Sequence, residues 1–577
     1  MASVIKGIDY LKALNENKMK IMENCDGLLG DAIDYLGSTD ALGEWSRDSN
    51  FAHNLFLHTQ AYHSFIRKSS LILLGRTGTG KTAILQCLYN DVNNKKNDNY
   101  SKALFFYFGD LLNKIAYIKD INDIDYNSCN DLTKLFTAYI NILVMKDICK
   151  DESVNVKNKA EIKKYLKNSE TDSKSLLDLF NESFEGFKND MVSDVTLVLK
   201  DIVNIVYNKL NNGTYKKAEA ELHRILNEEN YNYLILIDNA DNYPMKQTAV
   251  YSAIKAIIAT AFNFYNNDSN QHIYIKIAIP SEIYTNIFYS LPGKRQGNTV
   301  VIHWKNNELK RMISLRLIQL YEFCKKGYSD YGFELPSNLD LFDCFKNYSE
   351  KMLFYENNPD SIQNSNNLLL LFLPRKVPTS LSYYMDTFGY IIHHTLKKPR
   401  EVIQLFNQII RIIDEENSIS YFIDNPTAIQ KVVHGSQEAL ISSALSMYTD
   451  TFEDINDVCG EILSSMDFCF KEQSLNGKIK GAVAQKSYDE KDVKRILLES
   501  GLVGEVTNVS QNENLIFFVR AIFEYQNKGK LSFKKNVAYV LHPMCYEHFS
   551  CRVHEDSLVL PSATDFTDEI INSVIKK

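Results

Sequence analysis

Residues 69–88 read SSLILLGRTGTGKTAILQCL, and three kinds of local order follow one another in this stretch. Leu71 to Leu74 is an unbroken apolar run, Gly75, Gly78 and Gly80 punctuate the next residues, and apolar side chains resume at helical spacing after Lys81. The segment Gly75-Arg76-Thr77-Gly78-Thr79-Gly80-Lys81-Thr82 fits G-x4-G-K-S/T, and it lies between a predicted strand and a predicted helix, as that motif requires. Glycines there let backbone N–H groups close around phosphate oxygens, and the helix N-terminus adds a field that favours anions. Lys81 is expected to neutralise the β- and γ-phosphates, Thr82 to ligate magnesium, and Gly75 to Gly80 with Ala83 to complete the cradle. A glycine-rich turn with an accidental lysine is the plainer reading, and the flanking strand and helix argue against it.

Working outward, further short apolar runs read as strands: Ala103 to Phe108, Tyr233 to Ile237, Ile273 to Ile279 and Thr299 to His303. They are apolar on both faces, as buried strands of a parallel sheet are. An α/β core with helices on both faces follows. Lys81 and Asp238 stand 157 positions apart, whereas one βαβ unit needs only about 30 residues. A helical insertion over about 110–230 is therefore expected between them.

Asp238 ends the run LILID, where a second strand would carry a carboxylate to the magnesium, unless it only closes the strand in a turn. The next residues are Asn239, Ala240 and Asp241, so no Glu follows Asp238 to orient water. Asp241 either reaches back to take that role or caps the following helix. Ser281 and Glu282 follow the fourth strand, where a polar side chain would sense phosphate or simply start a helix behind Pro280. Arg295, in a polar loop before the fifth strand, is offered as a finger toward a neighbouring subunit's nucleotide, against the plainer reading of a solvated charge. Lys397-Lys398-Pro399-Arg400 opens a strongly amphipathic helix, and cations at a helix N-terminus oppose the dipole. Arg400 is read as reaching a γ-phosphate from a lid, or else as a charge on a solvated helix face.

Taken together these residues resemble the P-loop ATPases of the AAA+/STAND group, particularly bacterial members with a C-terminal winged helix that often occur in antiviral defence loci. The elements carrying the resemblance are Gly75 to Thr82, Asp238 to Asp241, Ile277 to Tyr284, His303 to Arg316, His393 to Ile403 and Glu499 to Cys545. The resemblance implies ATP and Mg2+ as cofactors, a second-sensor role for Arg400, a homo-oligomer, and an effector acting in trans. Similar origin-recognition ATPases use their winged helix on DNA. The missing Glu after Asp238 is a departure that implies slow hydrolysis, and the insertion carries no recognisable motif.

The expected organisation is a helical lead-in over 1–70, a P-loop core over 71–305, a helical lid over 306–424 and a winged-helix domain over 425–577. The last rests on a helix and Gly turn in KDVKRILLESGLVGEV. It continues in two strands joined by a polar loop with Lys530, Lys534 and Lys535, then a final helix. Those lysines would contact double-stranded DNA, although charged hairpin loops are commonly just solvated.

The 577 residues are 45% hydrophobic and 24% charged, a globular composition, and a net charge of -8 argues against coating nucleic acid or anionic lipid in bulk. No signal peptide is expected in MASVIKGIDYLKALNENKMK, and the longest apolar run, Asn367 to Pro374, is short of the roughly 20 residues of a spanning helix. The ten scattered cysteines include no C-x-x-C pair and read as reduced core residues of a cytoplasmic protein. The chain is thus read as an ATP-binding and hydrolysing switch that controls assembly or partner engagement. An ATP-regulated DNA-binding protein and a non-hydrolysing nucleotide-binding scaffold are the alternatives.

Overall fold

The apolar runs on either side of the glycine-rich turn pair with one another into a single sheet. A computed structural model describes residues 36, 40–47, 49–116, 126–151, 159–168, 174–190, 199–238, 248–267, 272–282, 298–317, 369–370, 372–379, 381–416, 418, 420–449, 452–484, 486, 489–511, 516–523, 532–561 and 574–576. The chain divides into two bodies, one holding residues 61–77 and 81–302, the other residues 1–60, 78–80 and 303–577.

In the first body, strands β1 (Ile72–Gly75), β2 (Lys102–Tyr107), β3 (Tyr233–Asp238), β4 (Ile273–Pro280) and β5 (Thr299–Val301) form a five-stranded sheet in the order β2-β3-β4-β1-β5. Every pairing is parallel, so all five strands end on one edge. The fold is α/β, as the doubly apolar runs predict.

Helix α1 (Lys81–Asn93) follows β1 and covers one face. The opposite face is covered by α2 (Tyr126–Lys150) and α3 (Thr248–Asn266), and one apolar cluster joins Ile235 and Ile237 of β3 to Leu135, Ile142, Ile254 and Ile258 of those helices. Tyr126–Lys150 is one of six helices described between β2 and β3, the others being Gly109–Ala116, Ala160–Asn168, Leu176–Asp190, Leu199–Leu210 and Tyr215–Glu228.

Lys276, on β4, is buried and donates to the carbonyls of Phe65, Arg67 at 2.8 Å and Ser70 at 2.6 Å. Three backbone acceptors thereby share one ammonium group, the Arg67 carbonyl accepting from the Ser70 N–H as well, and the turn that feeds β1 is fixed to the sheet.

In the second body, strands β6 (Lys376–Pro378) and β7 (Tyr383–Asp386) pair antiparallel. Helices α4 (Thr387–His393) and α5 (Pro399–Glu415) follow. Pro399 opens α5, where its missing N–H costs nothing. Val402, Ile403, Leu405, Phe406, Ile409, Ile410 and Ile413 bury one face of α5, and the same apolar cluster continues past residue 425 to Leu440, Phe518, Leu558 and Leu560.

A second sheet, also five-stranded, is built from β8 (Cys469–Lys471), β9 (Val503–Gln511), β10 (Phe517–Phe523), β11 (Ala538–Leu541) and β12 (Ser557–Pro561) in the order β12-β10-β9-β11-β8. Here the structure corrects one sequence reading. The runs IFFVRAIF and VAYVL were expected to form the hairpin, but β10 and β11 do not pair, because β9 lies between them and bonds to both. The run VGEVTNVSQ is a strand through its pairing with β10 and β11, and within it Gly504 leaves room for the Phe523 ring, which a Cβ at that position would meet at 2.8 Å. The expected final helix is, among the described residues, a single 3-10 turn over Pro543–Cys545. No helix among the described residues is long and apolar enough to cross a membrane.

Candidate functional site

Gly75 ends β1 and Lys81 opens α1, so residues 76–80 must reverse the chain between a strand and a helix. Gly78 and Gly80 do so at φ +85° and +92°, the left-handed region that side chains with a Cβ rarely occupy. Lys81 folds back under this turn, buried, with Nζ donating to the Arg76 carbonyl at 3.2 Å. The amine therefore points into the loop.

The edge around the loop follows from register. Gly75 pairs with Pro280, and Ile72 and Ile237 both pair with Ile277. Asp238 thus lies two strands from β1, about 10 Å across the sheet, and two residue rows short of Gly75. Connections from the adjacent strands β1 and β4 leave in opposite directions, toward β2 and toward β5. Such a switch point at the carboxyl ends of parallel strands is where open α/β sheets bind ligands.

Asp238 lies on the face that α1 covers. Alternate residues of a strand point to opposite faces, and Tyr233, Ile235 and Ile237 belong to the cluster under α2 and α3. Leu234, Leu236 and Asp238 consequently face the other way. Across from them, Tyr107 is the register partner of Asp238, and Phe105, two residues before it, packs on Tyr89 of α1 at 5.1 Å. Burial, the neighbouring Tyr89 and the Asp238 charge together push the Tyr107 phenol above its ordinary pKa. The Asp238 carboxylate is itself buried.

After β4 the chain delivers Ser281 and Glu282. Ser281, expected to face a phosphate, donates from Oγ to Glu282 Oε2 at 3.3 Å. Glu282 touches the loop. Its Oε1 accepts from Arg76 Nε at 3.3 Å and from the Thr77 N–H at 3.4 Å, and the Arg76 and Glu282 side chains are 8% and 5% exposed.

In the second body, a Cβ built on Gly78 would meet Arg400 Cβ and Lys398 Cδ, each at 3.5 Å. Arg400 is exposed at the start of α5, whereas Glu401 beside it is buried, accepts from the Leu396 N–H at 2.7 Å and lies 3.3 Å from Lys398 Nζ. Lys397 takes φ +56°, so the turn before α5 is a strained one that Glu401 braces. Trp304 Nε1 donates to the Thr79 carbonyl at 2.9 Å. Sequence reading placed Trp304 within the stretch His303 to Arg316 but gave it no role in the site, although it is one of only two tryptophans.

Asp241, Arg295 and Lys530 lie outside the described residues. Lys534 is exposed and pairs with Glu505 at 2.8 Å, and that carboxylate raises its pKa through a hydrogen bond and its charge. Its charge is therefore already matched within the sheet. The chain matches no protein-family model and no curated protein.

Proposed function

We propose that the protein is a magnesium-dependent ATP-binding and hydrolysing switch of the P-loop class. The observation carrying this reading is the glycine-rich turn, which sets two left-handed glycines and an inward lysine at the switch point of a parallel sheet. Asp238 supports it from the face that α1 covers. Gly75 to Ala83 hold the phosphates. The donor set suits magnesium, because Thr82 offers a hydroxyl and Asp238 a buried carboxylate, both hard oxygen ligands. A bound magnesium would neutralise charge between the β- and γ-phosphates. Lys81, folded back under the turn, would add its positive charge to the same phosphates. Adenine is preferred over guanine by resemblance to AAA+/STAND ATPases, and defence against viruses is the pathway that resemblance favours.

Lys81→Ala tests the reading. Binding or turnover of ATP is lost while the melting temperature is kept; unchanged turnover removes the active-site assignment. Tight ATP binding by the unsubstituted protein without any phosphate release would instead indicate a nucleotide-binding scaffold.

A second reading rests on the order of elements after residue 454. Helix α6 (Ile455–Leu463), β8, α7 (Glu472–Val483), α8 (Glu490–Glu499) and β9 follow one another, and both β8 and β9 pair with β11. This helix-strand-helix-helix-strand order favours a winged helix, with double-stranded DNA as its ligand under ATP control. Salt-dependent duplex binding that disappears when residues 430–577 are deleted supports it, and no shift on any DNA at low salt removes it.

A further inference from the structure

Glu282 stands 205 positions beyond Thr77 in the chain, yet its carboxylate oxygen lies on the Thr77 amide and the Arg76 guanidinium. The register explains the approach. Because Pro280 is level with Gly75, the two residues that follow β4 arrive beside the first residues of the glycine-rich turn. Ser281 Oγ takes the other carboxylate oxygen, so both oxygens of Glu282 have a fixed direction.

Backbone N–H groups in a glycine-rich turn attract an anion, and a buried amide and guanidinium left without an acceptor are costly. Glu282 supplies that acceptor from within the chain. A triphosphate seeks the same donors with several negative charges. Two anions of this kind cannot share a buried site of low dielectric constant without strong repulsion.

We propose that Glu282 is an internal anion that occupies the phosphate loop, and that nucleotide binding exchanges its carboxylate for a phosphate on Arg76 and the Thr77 amide. This rests on the nucleotide reading above and adds its regulation. The exchange makes occupancy of the site dependent on moving the end of β4. It also frees Arg76, whose guanidinium fork suits a phosphate as well as a carboxylate. A buried ion pair that merely pins the loop to β4 would behave in the opposite way, since breaking it would loosen the cradle.

Calorimetric titration of ATP and ADP with magnesium into the unsubstituted protein and Glu282→Gln separates the two. Under the exchange, Glu282→Gln binds both nucleotides about tenfold more tightly, the change expected when one like charge leaves an anion site. Equal or weaker binding by E282Q, with normal binding by the unsubstituted protein, overturns the exchange and leaves the P-loop reading standing. Failure of both proteins to bind any nucleotide overturns both. Should E282Q not fold, carbodiimide labelling of the unsubstituted protein decides: Glu282 becomes more reactive when ADP and magnesium are added. Unchanged or reduced labelling overturns the proposal.

Discussion

Asp238 and Tyr107 are register partners at the ends of β3 and β2, and their side chains share the face of the sheet that α1 covers. The Tyr107 phenol is raised by burial, by Tyr89 and by the Asp238 charge, so it reports on that carboxylate. Asp238→Asn lowers the Tyr107 pKa in a tyrosinate absorbance titration referenced to Tyr107→Phe, and saturating magnesium-ATP lowers it in the same direction. An unaltered titration would show that the carboxylate does not face Tyr107. If Asp238 holds the metal through water, Asp238→Asn also costs about 10- to 100-fold in turnover, the usual effect of removing such a partner.

Gly80 has open space where a Cβ would stand, so Gly80→Ala introduces strain without a clash. At φ +92° that strain is on the order of 1–2 kcal/mol. Chemical denaturation should show a loss of this size. Nucleotide affinity should fall further than stability does, because relaxing the φ angle turns a loop amide away from the phosphates. Equal affinity in G80A and the unsubstituted protein would contradict the cradle.

Lys276 gives the first body a pH signature. Three carbonyl acceptors favour its ammonium, but the apolar surroundings oppose the charge, and burial prevails, lowering the amine to about 7. The folded amine then binds fewer protons than the unfolded one, whose pKa is about 10.4. Stability contributed by this group therefore rises with pH from about 7 to about 10. In Lys276→Met the rise is absent, which denaturant titrations across that range detect. K276M is also less stable at neutral pH, since the carbonyls of Phe65, Arg67 and Ser70 lose their shared donor.

Glu44 and Arg316 form a buried two-pronged pair, with Nη1 to Oε1 at 3.0 Å and Nη2 to Oε2 at 3.2 Å. Breaking a buried pair from one side strands the other charge, at a cost of about 3 kcal/mol or more. Glu44→Ala is thus strongly destabilising, and adding Arg316→Met restores much of the loss. A double substitution no better than the single one would mean that the segment around residue 44 needs the pair for its position.

The five strands of the parallel sheet, the turn at Gly75 to Gly80, the start of α1 at Lys81 and the helix behind Pro399 were all legible in the sequence. Their signals are local: a β-rich apolar run, a glycine where φ must be positive, a proline at the first turn of an amphipathic helix. Backbone sterics and burial periodicity act over a few residues, so a single chain displays them without knowledge of its neighbours.

Tertiary structure alone decided the order β2-β3-β4-β1-β5, the face on which Asp238 lies, the insertion of β9 between β10 and β11, and the seat of Glu282 on the Thr77 amide. Each depends on which distant segments pair and in what register, and those choices are made by packing whole elements against one another. Ser281 and Glu282 show the difference most directly. Sequence brought both to the end of β4, but only the alignment of Pro280 with Gly75 brings the Glu282 carboxylate onto the loop.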